Sequence, residues 1–159
     1  MGARRIPRTA TARTLAALGL LLLAGCAEQR DRVPAACFAE PAAMVAALDQ
    51  APGAVALQDG TPLSRCVSTA HSDGDLQSLG LTLIGAADAL RADAGSDPAA
   101  ALRLGYLAGA VHAGAARSRG SIAAQLARRV EQAATLAAQA SPASVSALAR
   151  GRRAGERAG

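Results

Sequence analysis

Lysine and tryptophan are absent from this sequence of 159 residues, and phenylalanine and tyrosine occur once each, as Phe38 and Tyr106. Without lysine there is no phosphate loop of the usual glycine-rich kind, because that loop needs a lysine to reach the terminal phosphates. Only two histidines occur, His71 and His112, too few with their neighbours to supply the three or four ligands of a zinc site. A calcium loop counted from Asp73 places Ser78 sixth and Ile84 twelfth, where a glycine and a glutamate are required. No Gly-x-Ser-x-Gly turn is present to hold a serine nucleophile against a base. These gaps leave no catalytic constellation, no metal-ligand set and no cofactor motif.

Long apolar runs are missing too. Residues 14–25 and 104–116 carry no charge, but runs of 12 and 13 residues rise only about 18–20 Å as helices, short of a hydrocarbon layer ~30 Å thick. The first run has an informative context. Arg4, Arg5, Arg8 and Arg13 precede it with no acidic residue between them, and small residues close it. A basic head, a short apolar core and a small-residue ending form a secretory signal. Its last residues, Leu23-Ala24-Gly25-Cys26, resemble the lipobox of bacterial lipoproteins. The resemblance covers residues 1–26 only. It implies cleavage after Gly25, a diacylglyceryl group on the Cys26 thiol, palmitate-type acylation, and a mature protein held outside the cytoplasm. Each buried methylene contributes about 0.8 kcal/mol, so two or more acyl chains hold a protein firmly on a bilayer. An ordinary signal peptide with an incidental cysteine is the alternative.

Removal of the leader changes the charge balance. The full chain has 17 arginines against 12 acidic residues, a net +5 with a pI near 10.4. Four arginines leave with residues 1–25, so 13 basic residues face 12 acidic ones. The high pI is therefore not the footprint of a nucleic-acid binder. What excess remains lies in Arg150, Arg152, Arg153 and Arg157.

With Cys26 acylated, Cys37 and Cys66 are left in an oxidising compartment, where two such thiols usually pair. A redox or metal pair is the alternative, although the spacing is not Cys-x-x-Cys. A staple has physical value here, because alanine dominates the apolar content and buries little area per residue.

The remaining pattern is helical. Pro41 opens a short helix that ends near residues 51–53. Residues 54–67 break the rhythm and, around Asp59-Gly60, predict a small hairpin or irregular loop. A second helix begins at Ser72 or Asp73 and places Leu76, Leu79, Leu83, Ala87 and Leu90 on one face. A third begins at Asp97-Pro98 with Leu104, Leu107, Val111 and Ala115 in a stripe. Its Gly105-x-x-x-Gly109 spacing suits close approach of another helix. A fourth begins at Ser121 and carries Ile122, Leu126, Val130, Ala133 and Ala137 inward.

The expected architecture is all-α: a small alanine-rich bundle of three main helices plus one or two short ones, with a disulfide-pinned hairpin or loop. The expected organisation is a lipoprotein signal peptide at 1–25, a flexible tether at 26–35, a helical domain at 36–140 and a basic, disordered tail at 141–159, with a short helix over residues 141–150 as the alternative at its start. Arg117 and Arg119, before the helix that begins at Ser121, form a weak candidate for holding an anion. The functional expectation is a membrane-anchored lipoprotein with a non-enzymatic binding or structural role, partnered by another envelope protein. Carriage of a small hydrophobic molecule between helices is the second expectation. An enzyme using His71 or His112 is the third.

Overall fold

The computed structural model describes residues 32–118, 120–137 and 141–159. Among the described residues six α-helices follow one another: α1 (Pro41–Ala47), α2 (Leu63–Ser68), α3 (Asp73–Ala94), α4 (Pro98–Arg117), α5 (Ser121–Ala137) and α6 (Pro142–Ala158). Short 3-10 turns at Ala35–Phe38 and Leu48–Gln50 flank α1.

Local chemistry sets where the long helices start. The Ser72 hydroxyl accepts from the Asp75 amide at 3.0 Å, and Asp73 and Asp75 lie in the first turn of α3, where the helix dipole favours negative charge. The Asp97 carboxylate accepts from the Ala99 and Ala100 amides at 2.8 and 3.2 Å, and Pro98 takes the first position of α4. The leucines assigned inward on α3 are all buried, as are Leu104, Leu107 and Val111 on α4.

Helix α4 is the centre of the bundle. Its residues 104–111 are all buried, and it packs against α2, α3, α5 and α6. Its tightest neighbour is α6. A Cβ on Gly105 would lie 2.8 Å from the Leu148 carbonyl carbon, and one on Gly109 would lie 2.9 Å from the Glu156 amide nitrogen. The relation is reciprocal. A Cβ on Gly151 would lie 2.9 Å from the Tyr106 nitrogen, and one on Gly155 would lie 2.8 Å from the Ala110 nitrogen. Residue numbers rise together along the contact, so the two helices run parallel, backbone against backbone, through two Gly-x-x-x-Gly spacings.

This arrangement corrects the expectation of a disordered tail at 141–159. Pro142 does not merely stop the preceding helix; it is the first residue of the next. The Ser141 hydroxyl caps that helix by accepting from the Ser144 amide at 3.1 Å. Glycines at 151 and 155 lower intrinsic helix propensity by about 1 kcal/mol each, which makes the segment look frayed in isolation. Contact with α4 turns the missing side chains into close packing. The bundle accordingly has four long helices rather than three.

Residues 54–62 keep only a trace of hairpin. Ala56 and Pro62 form one antiparallel bridge around Gly60, whose φ of 80° needs glycine. Asp59 accepts from the Thr61 amide at 3.0 Å, and bonds from Thr61 hold its carboxyl below the usual aspartate pKa. The chain then turns helical at Leu63. The loop is fastened to α4 by the buried Tyr106, whose hydroxyl oxygen accepts from the Val55 amide at 3.0 Å. Asp49 and Arg103 form an ion pair at 2.6 Å that joins the turn after α1 to α4.

Cys37 and Cys66 are bonded, with Cα atoms 5.5 Å apart. The bridge ties the first 3-10 turn to α2. The expected tether is therefore shorter than 26–35: Val33 is already buried, and the 3-10 turn begins at Ala35.

Candidate functional site

Several grooves lie between elements on the described surface, and three of them carry residues singled out in the sequence or large exposed apolar side chains. The first lies where α4, α5 and α6 meet and encloses about 460 Å³. Ala115, Ala116, Ala124 and Ala127 make an apolar floor, and His112, Arg128, Glu131 and Arg152 stand around it. Arg152 is committed to other charges. Its guanidinium donates to Glu131 of α5 and, at 3.1 Å, to Glu156 one turn along α6. His112 and Arg128 are exposed on the rim. The groove thus offers a shallow apolar bed with a titratable ring and a guanidinium above it, suited to a small molecule with one apolar side and one anionic end.

The second groove encloses about 420 Å³ and joins two segments that are far apart in sequence. Ala70 and His71 come from the turn before α3, Asp73 and Leu76 from its first turn, and Ser118, Gly120, Ser121 and Ile122 from the turn into α5 and its start. The antiparallel course of α3 and α4 brings these ends together. His71 and Asp73 are both exposed. Arg117 is exposed on the last turn of α4 and does not line this groove. Arg119, its expected partner in holding an anion, lies outside the described residues, as does Cys26.

The third groove, about 360 Å³, lies between the first 3-10 turn and α3 and is lined by Phe38, Ala39, Glu40, Pro41, Ser78, Leu81 and Thr82. Phe38 is 40% exposed and Leu81 is 78% exposed, so the groove has two large apolar side chains facing water. Sequence reasoning passed over both. The available signal was Leu81 itself, a leucine off the stripe of Leu76, Leu79 and Leu83.

His71 and His112 belong to different grooves and are not brought together. Among the described residues, no hydrogen bond links either ring to a carboxylate or hydroxyl, and no three His, Cys, Asp or Glu side chains converge on one point. Also among the described residues, no helix is long and apolar enough to cross a membrane.

Comparison with known protein families, curated proteins and solved structures finds no match to this chain.

Proposed function

We propose that this chain is a bacterial lipoprotein whose helical body is displayed on the outer side of a membrane by acyl chains on Cys26, and that it works there as a non-enzymatic binding or structural module. The observation that carries the reading is the order of features along the chain. A basic head and apolar core end in Leu23-Ala24-Gly25-Cys26, six residues before Arg32, where the disulfide-closed body begins. A crosslink between Cys37 and Cys66 agrees with an exported destination, since disulfides persist in oxidising compartments.

The test is mass spectrometry of the mature amino terminus together with metabolic labelling by a palmitate analogue. The expected product begins at Cys26, carries acyl chains and fractionates with membranes. Cys26→Ser is expected to lose the label. A terminus that begins elsewhere, or an unmodified Cys26, refutes the anchor.

The alanine-floored groove between α4, α5 and α6 favours a second reading, carriage of a small hydrophobic molecule. The interior is filled by Tyr106, Met44, Leu104 and Leu107, so such cargo would rest at the surface beside His112 and Arg128. Native mass spectrometry of the purified protein would detect it as a bound mass, and Ala127→Trp, which fills the floor, would abolish that mass. A ligand-free spectrum counts against carriage.

A further inference from the structure

We propose that Phe38 and Leu81 form a membrane-docking face that lies on the bilayer carrying the Cys26 anchor. The proposal rests on that anchor, and the reasoning is one of reach. Cys26 and Arg32 are six peptide steps apart, which spans at most about 20 Å when fully extended. Beyond Arg32 no slack remains. Val33 is buried, and Cys37 is bonded to Cys66, so the first turn cannot peel away from the body. A tether of that length keeps the surface around this turn within reach of the lipid.

That surface carries exposed apolar side chains of the kind that enter the boundary between head groups and acyl chains. Phe38, the only phenylalanine in the chain, and Leu81 line one groove together with Pro41. Arg32 is exposed at the head of the same segment, placed for lipid phosphates. Glu40 lines the groove as well, so attachment here comes from apolar insertion rather than from net positive charge. Among the described residues, the other large apolar side chains that face water, Leu136 and Val145, sit at the end of α5 and the start of α6. The short tether does not select those positions.

The absence of tryptophan makes the test direct. Phe38→Trp gives the mature lipidated protein a single indole, which is followed by fluorescence in vesicles of phosphatidylethanolamine and phosphatidylglycerol containing brominated lipid. The expected result is a blue shift and bromine quenching that salt does not weaken, because apolar insertion is not screened. Arg153→Trp, on the outer face of α6, is the control and is expected to stay in water. Leu81→Asp in the Phe38→Trp background alters a side chain already facing solvent, and is expected to return quenching to the control level.

An indole at position 38 quenched no more than the control overturns the proposal, as does quenching that disappears in salt. A blue shift that rises with protein concentration without vesicles means that a second copy covers the face, and this also overturns it. Mass spectrometry of the same sample separates the two claims. An acylated chain with a water-exposed indole refutes docking and leaves the anchor standing. A chain without acyl groups refutes the anchor, and docking falls with it.

Discussion

Replacing Gly151 by alanine sets two physical effects against each other, and the structure decides between them. In an exposed helix the change is stabilising, because alanine is preferred over glycine by about 1 kcal/mol. In α6 the new methyl group would lie 2.9 Å from both the Leu102 carbonyl carbon and the Tyr106 nitrogen, and nearer still to the Leu102 oxygen. These are backbone atoms, so no rotamer change relieves the contact. The two helices must separate. A radial gap of 0.5–1 Å forfeits roughly a quarter to a half of each dispersion contact along the seam. Overpacking of this kind costs about 1–3 kcal/mol and sometimes more. Because the clash is with backbone, the cost belongs at the top of that range or beyond. After the propensity gain, the net destabilisation is about 2–3 kcal/mol, a large share of a typical 5–15 kcal/mol total. In thermal unfolding of the oxidised protein followed by circular dichroism, the midpoint should fall by about 5–15 °C. Gly74→Ala is the matched control. Its Cβ would meet nothing closer than the Ser72 hydroxyl at 3.9 Å, so it should stabilise by about 0.4–1 kcal/mol. Adding Gly105→Ala to Gly151→Ala should cost less than the sum of the single changes, since the seam is already open. An unchanged or raised midpoint for Gly151→Ala would refute the account of α4 and α6 as backbones in contact.

Other consequences are equally open to measurement. Replacing Cys37 and Cys66 together by serine removes a crosslink across 29 residues and should lower stability by about 3–4 kcal/mol on the chain-entropy account, read from urea unfolding with and without reductant. Tyr106→Phe leaves the buried Val55 amide without its acceptor and should cost about 1–3 kcal/mol, with faster hydrogen exchange at that amide. Asp59 titrates below its ordinary value because Thr61 bonds to its carboxylate. Its contribution to stability is present above the unfolded pKa and fades as pH falls through the lower folded pKa. Thr61→Val should move that titration upward in an NMR pH series, and an unmoved titration would count against the Thr61 side-chain bond as a cause.

The legible part of the fold is the part built from repeated leucines and recognisable caps. Helix α3 could be placed from Leu76, Leu79, Leu83 and Leu90, and α4 from Asp97-Pro98, because one face and one capped end determine such a helix locally. The disulfide was legible from the expectation of export rather than from geometry. Helix α2 was not, and α6 was legible only as a short helix at its start. The six residues of α2 are too few to show a period. In α6, glycine and arginine conceal a helix whose support comes from a neighbour some 45 positions earlier, where Tyr106 meets Gly151 and Gly155. Gly105 and Gly109 were read correctly as a close-approach surface, but the partner carrying the matching spacing was not identified.

The grooves were less legible than the helices, for a related reason. Each joins segments whose meeting depends on helix direction: His71 with Ser121, Phe38 with Leu81, and Arg152 with Glu131. Spacing along the sequence carries no record of these meetings. The same alanine-rich composition that hides them also explains their position at the surface. Small side chains let α4 approach its neighbours until the interior is filled, as the burial of Tyr106 and Leu107 shows. Once the centre is closed, the concavities that remain lie at the surface, between neighbouring elements. Recognition by this body would therefore be carried by groove rims, where His112, Arg128 and Leu81 stand exposed, rather than by an enclosed cavity. Substitutions at these three rim positions should change binding while leaving the unfolding midpoint nearly unmoved, because exposed sites away from packing usually shift stability by no more than about 0.5 kcal/mol.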